Sequence, residues 1–296
     1  MALGDVFGSI DEITETRDNK RVKEQGGVDL PGILGKVGRK EAVPPISIDH
    51  VEAERPVFRA SGFARLCMRQ EALCAMYKVP RQSKFNARQI MIFDVGHYVH
   101  DMIREQYLAP AQVLFGQTWK CKTCGKQYGA SDGPYIKSPD ECEVCDDEIF
   151  VYGESYLQSK EYLIGGHVDG FIGTNAPDSI LEIKTSNDDY FKRNLQYEPA
   201  PQHTLQMQIY MWLSGFQKGY LLYFDKDTSE IKIFVVPYNI TVIDQVRRSI
   251  DEFKASIKSF SGGGTKLPKR VVCGSPSDKM ARECPVVEKC FEKMMK

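Results

Sequence analysis

The chain has 296 residues, enough for one large domain with insertions or for two small ones. With 42% hydrophobic and 27% charged residues it has the composition of an ordinary globular enzyme, and a net charge of −1 excludes a basic surface over the whole molecule, so a nucleic-acid partner needs a local groove. No run reaches the apolar length of a membrane span, and residues 1–15 lack the basic-then-apolar form of a secretion signal; a cytoplasmic protein is the expectation.

Nine cysteines fall into three groups: Cys67 and Cys74; Cys121, Cys124, Cys142 and Cys145; Cys273, Cys284 and Cys290. Disulfides are rare in the cytosol, so the grouping points to metal binding.

In chain order, residues 26–40 are rich in Gly and Lys without clear periodicity and read as a loosely ordered arm or a solvated tail. Residues 61–79 read as a helix with Ser61 as N-cap and an apolar stripe of Phe63, Leu66, Leu73 and Met76. Cys67 and Cys74, two turns apart, fall near one face of it. Residues 86–109 read as a second helix with Ile92, Val95, Val99, Ile103 and Tyr107 on its apolar face. Gly96 and His100 share one side of that helix, though a lone histidine in such a place is more often a satisfied core or surface residue.

Residues 119–150 carry C-x2-C, seventeen residues, then C-x2-C. Each pair forms a knuckle, and the thiolates of Cys121, Cys124, Cys142 and Cys145 complete a tetrahedral zinc site, with a short hairpin expected between the knuckles. Four cysteines close the coordination shell, so this zinc is structural. Lys120, Lys122, Lys126 and Lys137 make the insertion either a DNA-contacting finger or a solvated face.

Residues 162–186 read as two strands joined by a turn at GTNAPDS. Asp169 lies on the first, Glu182 and Lys184 on the second. Strand side chains alternate, so Glu182 and Lys184 share a face while Ile183 points away. Opposite charges among core residues such as Ile180, Leu181 and Ile183 are costly to bury without a reason such as a metal ion. Asp169 and Glu182 are therefore candidate ligands of a divalent cation, with Lys184 beside it; the bland alternative is a salt bridge on a solvated face.

A helix over 203–217, strands over 219–224 and 231–238, and an amphipathic helix over 241–260 with Val242, Val246, Ile250, Phe253 and Ile257 on its stripe follow. A flexible, basic linker (261–270) leads to a tail with three cysteines. With Cys67 or Cys74 as fourth ligand they suit an iron–sulfur cluster; a second zinc or free thiols are the alternatives.

Together these motifs resemble the PD-(D/E)xK nuclease superfamily in its RecB-like branch. The resemblance covers residues 61–290 apart from the zinc insertion. Gly96–His100 resembles the family's G-x3-H, residues 166–170 (GHVDG) the motif with the central Asp, Glu182-Ile183-Lys184 the E-x-K, and Gln206-x3-Tyr210 the Q-x3-Y. One cysteine before the core and three after it resembles the iron–sulfur exonucleases, CRISPR-associated and AddB-type, and Cys67 followed by Met68-Arg69 resembles their Cys-x-Arg. Cys284-x5-Cys290 matches their last spacing; Cys273-x10-Cys284 is longer than theirs.

The resemblance implies an α/β fold, a restriction-endonuclease-like core of central mixed sheet flanked by helices, with a zinc-ribbon insertion and a cysteine-rich tail. The expected organisation is an arm (1–55), a nuclease core (56–118 and 151–260), the ribbon (119–150), and a linker and tail (261–296) closing on Cys67. It implies Mg2+ or Mn2+ held by His100, Asp169, Glu182 and the carbonyl of Ile183, with Lys184 orienting the attacking water and Gln206 and Tyr210 positioning Lys184 or the phosphate. A [4Fe-4S] cluster on Cys67, Cys273, Cys284 and Cys290 would clasp the tail to the first helix. Arg65, Arg69, Lys192 and Arg193 are candidates for DNA-backbone contacts. The expected activity is a metal-dependent DNA exonuclease acting on single strands or ends in recombination, repair or phage DNA processing, with a recombination, replication or helicase partner. The alternatives are a structure-specific or nicking endonuclease and a nuclease-like DNA-binding subunit. The added ribbon and the absence of helicase motifs suggest a phage or mobile-element version, working in the host cytoplasm.

Overall fold

The computed structural model describes residues 39–130, 133–264 and 266–292, with backbone alone at 39–43 and 81–84. The arm read at 26–40 lies almost wholly outside them. The described residues fall into two compact units: 39–44 with 80–98, and 45–79 with the described residues from 99 to 292. In the small unit β1 (Arg39–Val43) pairs antiparallel with β3 (Arg81–Phe85), ahead of the first three turns of α3.

In chain order the other elements are α1 (Ile48–Glu52), β2 (Phe58–Arg59), a 3-10 turn (Ala60–Arg65), α2 (Met68–Tyr77), α3 (Ala87–Met102), a π-helical turn (Ile103–Leu108), β4 (Leu114–Phe115), β5 (Gln117–Cys121), β6 (Gln127–Tyr128), β7 (Phe150–Ser159), β8 (Ile164–Val168), β9 (Gly170–Gly173) and β10 (Pro177–Ser186). They continue with α4 (Asp188–Asn194), α5 (Pro201–Ser214), β11 (Lys218–Asp225), β12 (Ile231–Pro237), α6 (Ile240–Ser261), α7 (Lys279–Arg282) and α8 (Val287–Phe291).

The expected mixed α/β architecture is borne out. One five-stranded sheet runs β12-β11-β10-β9-β4, with β10 and β11 parallel and the other pairs antiparallel. A parallel pair needs a long crossover, and here α4 and α5 supply it. The second sheet runs β2-β8-β7-β5-β6. The chain passes from the second sheet to the first between Val168 and Gly170, so Asp169 stands at the crossing rather than within a strand, as the sequence reading had it.

The main core packs Ile180, Met207, Tyr210, Leu221 and Tyr223 against the buried stripe of α6: Ile243, Val246, Ile250, Phe253 and Ile257. Each such side chain contributes about 1.5–3 kcal/mol on full burial. A second cluster lies on the opposite face of the same strands, where Leu181, Ile183, Leu222 and Phe224 meet Ile103 and Leu114. No helix among the described residues is long and apolar enough to cross a membrane.

Two helix readings change. The helix expected over 61–79 is broken: Leu66 is extended, Cys67 is the N-cap, and α2 begins at Met68. This turns Cys67 out of any helical register with Cys74. The stripe expected over 86–109 is split between α3 and the π-helical turn: Ile92 and Val95 on α3 and Tyr107 in the turn are exposed, while Ile103 is buried.

Candidate active site

Strand alternation places Glu182 and Lys184 on the face that α5 covers and Ile183 on the other. Lys184 Nζ donates to Glu182 Oε1 at 2.6 Å, with Glu182 only 3% exposed. Gln206, on α5, donates its Nε2 to the same Oε1 at 2.7 Å and also contacts Tyr210 Oη at 3.1 Å. Tyr210 in turn donates to the His167 carbonyl at 2.6 Å. Gly166 permits that approach: a Cβ there would lie 2.8 Å from the Tyr210 hydroxyl.

Asp169 is tied on three sides. Its Oδ2 accepts the Ile183 N–H at 2.6 Å, its Oδ1 lies 3.0 Å from His100 Nδ1, and its carbonyl accepts from Gln117 Nε2 at 3.2 Å. Pairing between β9 and β10 ends at Leu181 and Gly170, so the backbone of Ile183 on that side is free of the ladder. In an extended chain a residue's N–H and C=O point to the same edge, so the Ile183 carbonyl also faces the Asp169 side.

The structure thus brings His100, Asp169, Glu182, Ile183, Lys184, Gln206 and Tyr210 into one connected network. The charges in it are unevenly balanced. Burial drives the Glu182 carboxyl up to about 7, against the pull of Lys184 and with the push of Asp169. Burial also opposes ionisation of Asp169, but His100, Lys184 and the Ile183 N–H outweigh it and hold this carboxyl below its usual range. For His100 burial works against the charged ring, yet Asp169 and Glu182 prevail and raise its pKa. Two neighbouring carboxyls pushed in opposite directions mark a site short of positive charge. Glu182 Oε2 is buried and bonded to nothing. An orphaned carboxylate oxygen is costly, and a hard cation satisfies it. The donor set therefore fits a divalent ion, with His100 Nε2 available because Nδ1 is taken up by Asp169.

Arg104, His203 and Tyr223, beside this network, escaped the sequence reading. Arg104, in the π-helical turn four residues after His100, is 3% exposed; it bonds Glu154 Oε1 at 2.9 Å and stacks 4.3 Å over the Tyr152 ring. A cation at helical spacing after the candidate histidine was the available signal. His203 precedes Gln206 by one turn of α5, and its Nδ1 lies 2.9 Å from the Tyr223 hydroxyl.

The candidate DNA contacts separate. Arg65 is exposed, and its charge acts on both Lys184 and His203. Arg69 is engaged elsewhere, donating to the Pro268 carbonyl at 2.8 Å and to Cys290 Sγ at 3.3 Å. Lys192 and Arg193 pair with Asp188 and Asp189 on their own helix at 2.8 and 2.7 Å.

In the ribbon the Sγ atoms of Cys121, Cys124, Cys142 and Cys145 all lie within 4.8 Å of one another. The two knuckles repeat one backbone pattern. Gly125 N bonds Cys121 O at 3.0 Å and Asp146 N bonds Cys142 O at 2.9 Å; Cys121 N bonds Lys126 O and Cys142 N bonds Asp147 O, both at 2.9 Å. Each turn needs a left-handed residue, Gly125 (φ 78°) in one and Asp146 (φ 57°) in the other. Among the described residues the hairpin forms across the first knuckle, between β5 and β6, rather than between the knuckles as expected.

Cys67, Cys273, Cys284 and Cys290 line one cavity together with Arg69 and Arg270. The long Cys273–Cys284 segment is accommodated by α7, which brings its two ends back to the same cavity. Cys74 does not line this cavity; it is 2% exposed in a cluster with Leu73 and Val286, against which Cys284 and Cys290 also pack. Among the described residues the ribbon quartet is the group of metal-ligand side chains drawn within 4.8 Å; neither the tail quartet nor His100, Asp169 and Glu182 close to that extent.

No protein-family profile matches the chain. Over 81 residues it is 36% identical to the CRISPR-associated exonuclease Cas4 of Saccharolobus solfataricus, a match spanning 27% of this chain and 37% of that protein. Among solved structures it is similar to an alkaline exonuclease from Laribacter hongkongensis, at 15% identity and a TM-score of 0.42 over 73% of this chain and 94% of that one. A phage-related exonuclease from Haemophilus somnus aligns at 14% identity and a TM-score of 0.30 over 36% of this chain and 60% of that one. The resemblance to the CRISPR-associated exonucleases read from the motifs is borne out by the sequence match.

Proposed function

We propose that this chain is a metal-dependent DNA exonuclease that hydrolyses phosphodiester bonds at single-stranded or end-exposed substrates. The observation that carries the reading is Glu182 Oε2, a buried carboxylate oxygen without a partner, set in the network of Asp169, His100 and Lys184. Likeness to an exonuclease over 81 residues supports it independently.

His100 Nε2, Asp169, Glu182 Oε2 and the Ile183 carbonyl would hold the ion. Carboxylate and carbonyl oxygens suit Mg2+ or Mn2+, and an imidazole tilts the choice towards Mn2+. Such an ion supplies an activated water and offsets charge on the phosphoryl oxygens. Lys184 is held by Glu182, and although burial opposes its charge, Glu182 and Asp169 raise its pKa. It remains an ammonium at neutral pH, so it orients the water and stabilises developing negative charge without acting as the base. Gln206 fixes Glu182 Oε1, which leaves Oε2 directed at the ion. Tyr210 anchors the strand leading into Asp169 through the His167 carbonyl.

The ribbon quartet is assigned to zinc. A zinc–thiolate bond of about 2.3 Å requires sulfurs about 3.8 Å apart, and the closest pairs here are at 3.5 Å. The tail quartet lines one cavity and is assigned to a [4Fe-4S] unit, with Arg69 offering an N–H···S bond to Cys290.

The test uses end-labelled linear and circular single-stranded DNA with Mn2+, with EDTA, and with Lys184→Ala. The expected result is degradation of linear DNA alone, abolished by EDTA and reduced at least about 10³-fold by the substitution. Cleavage of circles at the same rate makes the chain an endonuclease, and activity that survives EDTA refutes the cation site.

A further inference from the structure

Helix α5 presents His203, Gln206 and Tyr210 on one face, at spacings of three and four residues. Each reaches a different strand. Tyr210 bonds the His167 carbonyl on β8, Gln206 bonds Glu182 on β10, and His203 meets Tyr223 on β11. The first two contacts are accounted for by the proposed cation site. The third is not.

The bonding around Tyr223 favours one tautomer of His203. The Tyr223 hydroxyl accepts the Ala200 N–H at 3.1 Å, so its own proton is free for His203 Nδ1 at 2.9 Å. An imidazole that accepts at Nδ1 and is neutral carries its proton on Nε2. Burial, together with the charges of Lys184 and Arg65, lowers the His203 pKa to about 3, so the ring is neutral throughout the working range. Nε2 bonds no described residue and is not among the buried unpaired atoms. It is a donor left open beside two cations.

Lys184 and Tyr223 are register partners on the parallel strands β10 and β11, which places His203 above the strand position next to Lys184. The ammonium of Lys184 and the charge of Arg65 both act on His203, one of whose nitrogens is unspent, and the ligand that takes several donors of this kind is a phosphate with its non-bridging oxygens.

We propose that His203 is a substrate-binding residue that donates from Nε2 to a non-bridging oxygen of a DNA phosphodiester, with Tyr223 as the positioning residue that fixes its tautomer. The proposal rests on the nuclease reading. It extends the Q-x3-Y face of α5 by one turn and assigns that turn to holding the strand.

The test is steady-state cleavage of a short single-stranded oligonucleotide, together with its binding in buffer without divalent cation. His203→Ala is expected to raise KM and weaken binding about 10-fold, with kcat changed less than about 3-fold. His203→Gln, which keeps an N–H donor, recovers most of the loss. Tyr223→Phe, which frees the ring to take either tautomer, falls between. Single methylphosphonate substitutions along the oligonucleotide locate the contact: one position weakens wild-type binding, and the same position no longer matters in His203→Ala. Should His203→Ala fail to fold, His203→Gln and Tyr223→Phe carry the comparison, since a folded pair with wild-type KM at every phosphate overturns the proposal. A folded His203→Ala that binds and cleaves like wild type, or remains as sensitive to every methylphosphonate, also overturns it. A wild-type chain that neither binds nor cuts DNA sinks the nuclease reading itself, which is a different outcome.

Discussion

The carboxylate network and the zinc-type ribbon are both candidate metal sites, and they are built in opposite ways. The ribbon is local: its four thiols come from residues 121–145, and two copies of one backbone turn aim them at a common point within 4.8 Å. The carboxylate network draws on α3, the crossing between sheets, β10 and α5, and leaves Glu182 Oε2 unpartnered. The first is closed, as a structural site should be. The second is held by Lys184, Gln206 and the Ile183 N–H yet leaves Glu182 Oε2 unpartnered, which is the condition the proposed chemistry needs.

The largest effect that separates the two comes from Glu182→Gln. Removing this charge is expected to eliminate Mn2+ binding in a calorimetric titration and to lower activity at least about 10³-fold, while zinc content stays that of the wild type. Loss of zinc in the same variant would show that the sites are not independent.

The converse change is Cys142→Ser. It should remove the zinc and speed amide exchange through residues 121–149, because metal binding in isolated zinc fingers supplies on the order of 10 kcal/mol of folding free energy. Mn2+ affinity should stay within about 3-fold of wild type. A collapse of Mn2+ binding would mean that β5 and β7, which pair with each other and through β7 with β8, transmit the damage to Asp169.

A smaller effect comes from pH. The Glu182 carboxyl is raised to about 7 from 4.5, so in this window the folded state binds more protons than the unfolded chain and stability falls as pH rises. His100, raised from 6.5, acts in the same direction: its stabilisation is complete below 6.5 and is lost as pH climbs through its folded value. The cation-free protein should lose a few degrees of Tm, of the order of 5 °C, between pH 5 and pH 8, and Mn2+ should restore them at pH 8. A flat or rising profile without the ion would contradict the charge balance described for the site.

What could be read in advance follows physical locality. Side-chain alternation placed Glu182 and Lys184 together, and the two C-x2-C pairs revealed the ribbon, because both signals span a few residues. The break at Leu66–Cys67 was hidden, since the apolar spacing of Phe63, Leu66 and Leu73 is compatible with one continuous helix. His203 and Tyr223 were illegible for another reason: their meeting depends on the β10–β11 crossover, and nothing near either residue records which strand α5 will cover. Cys273 was similarly obscured, because a loop and the short helix α7 absorb the ten intervening residues that the spacing counts.

The bonds of the carboxylate network also differ in how much chain each must close. Asp169 reaches Ile183 over 14 residues, Gln206 reaches Glu182 over 24, Tyr210 reaches His167 over 43 and His100 reaches Asp169 over 69, whereas Arg69 reaches Cys290 over 221. Closure entropy grows with the logarithm of loop length, so the cheapest contacts are those around the E-x-K strand and the dearest is the clasp between the ends. A ribosome emitting this chain would have delivered every side chain of the carboxylate network before Cys273 is made. The sequence separations predict an order of assembly in which the contacts around the E-x-K strand close first and the Arg69–Cys290 contact closes last.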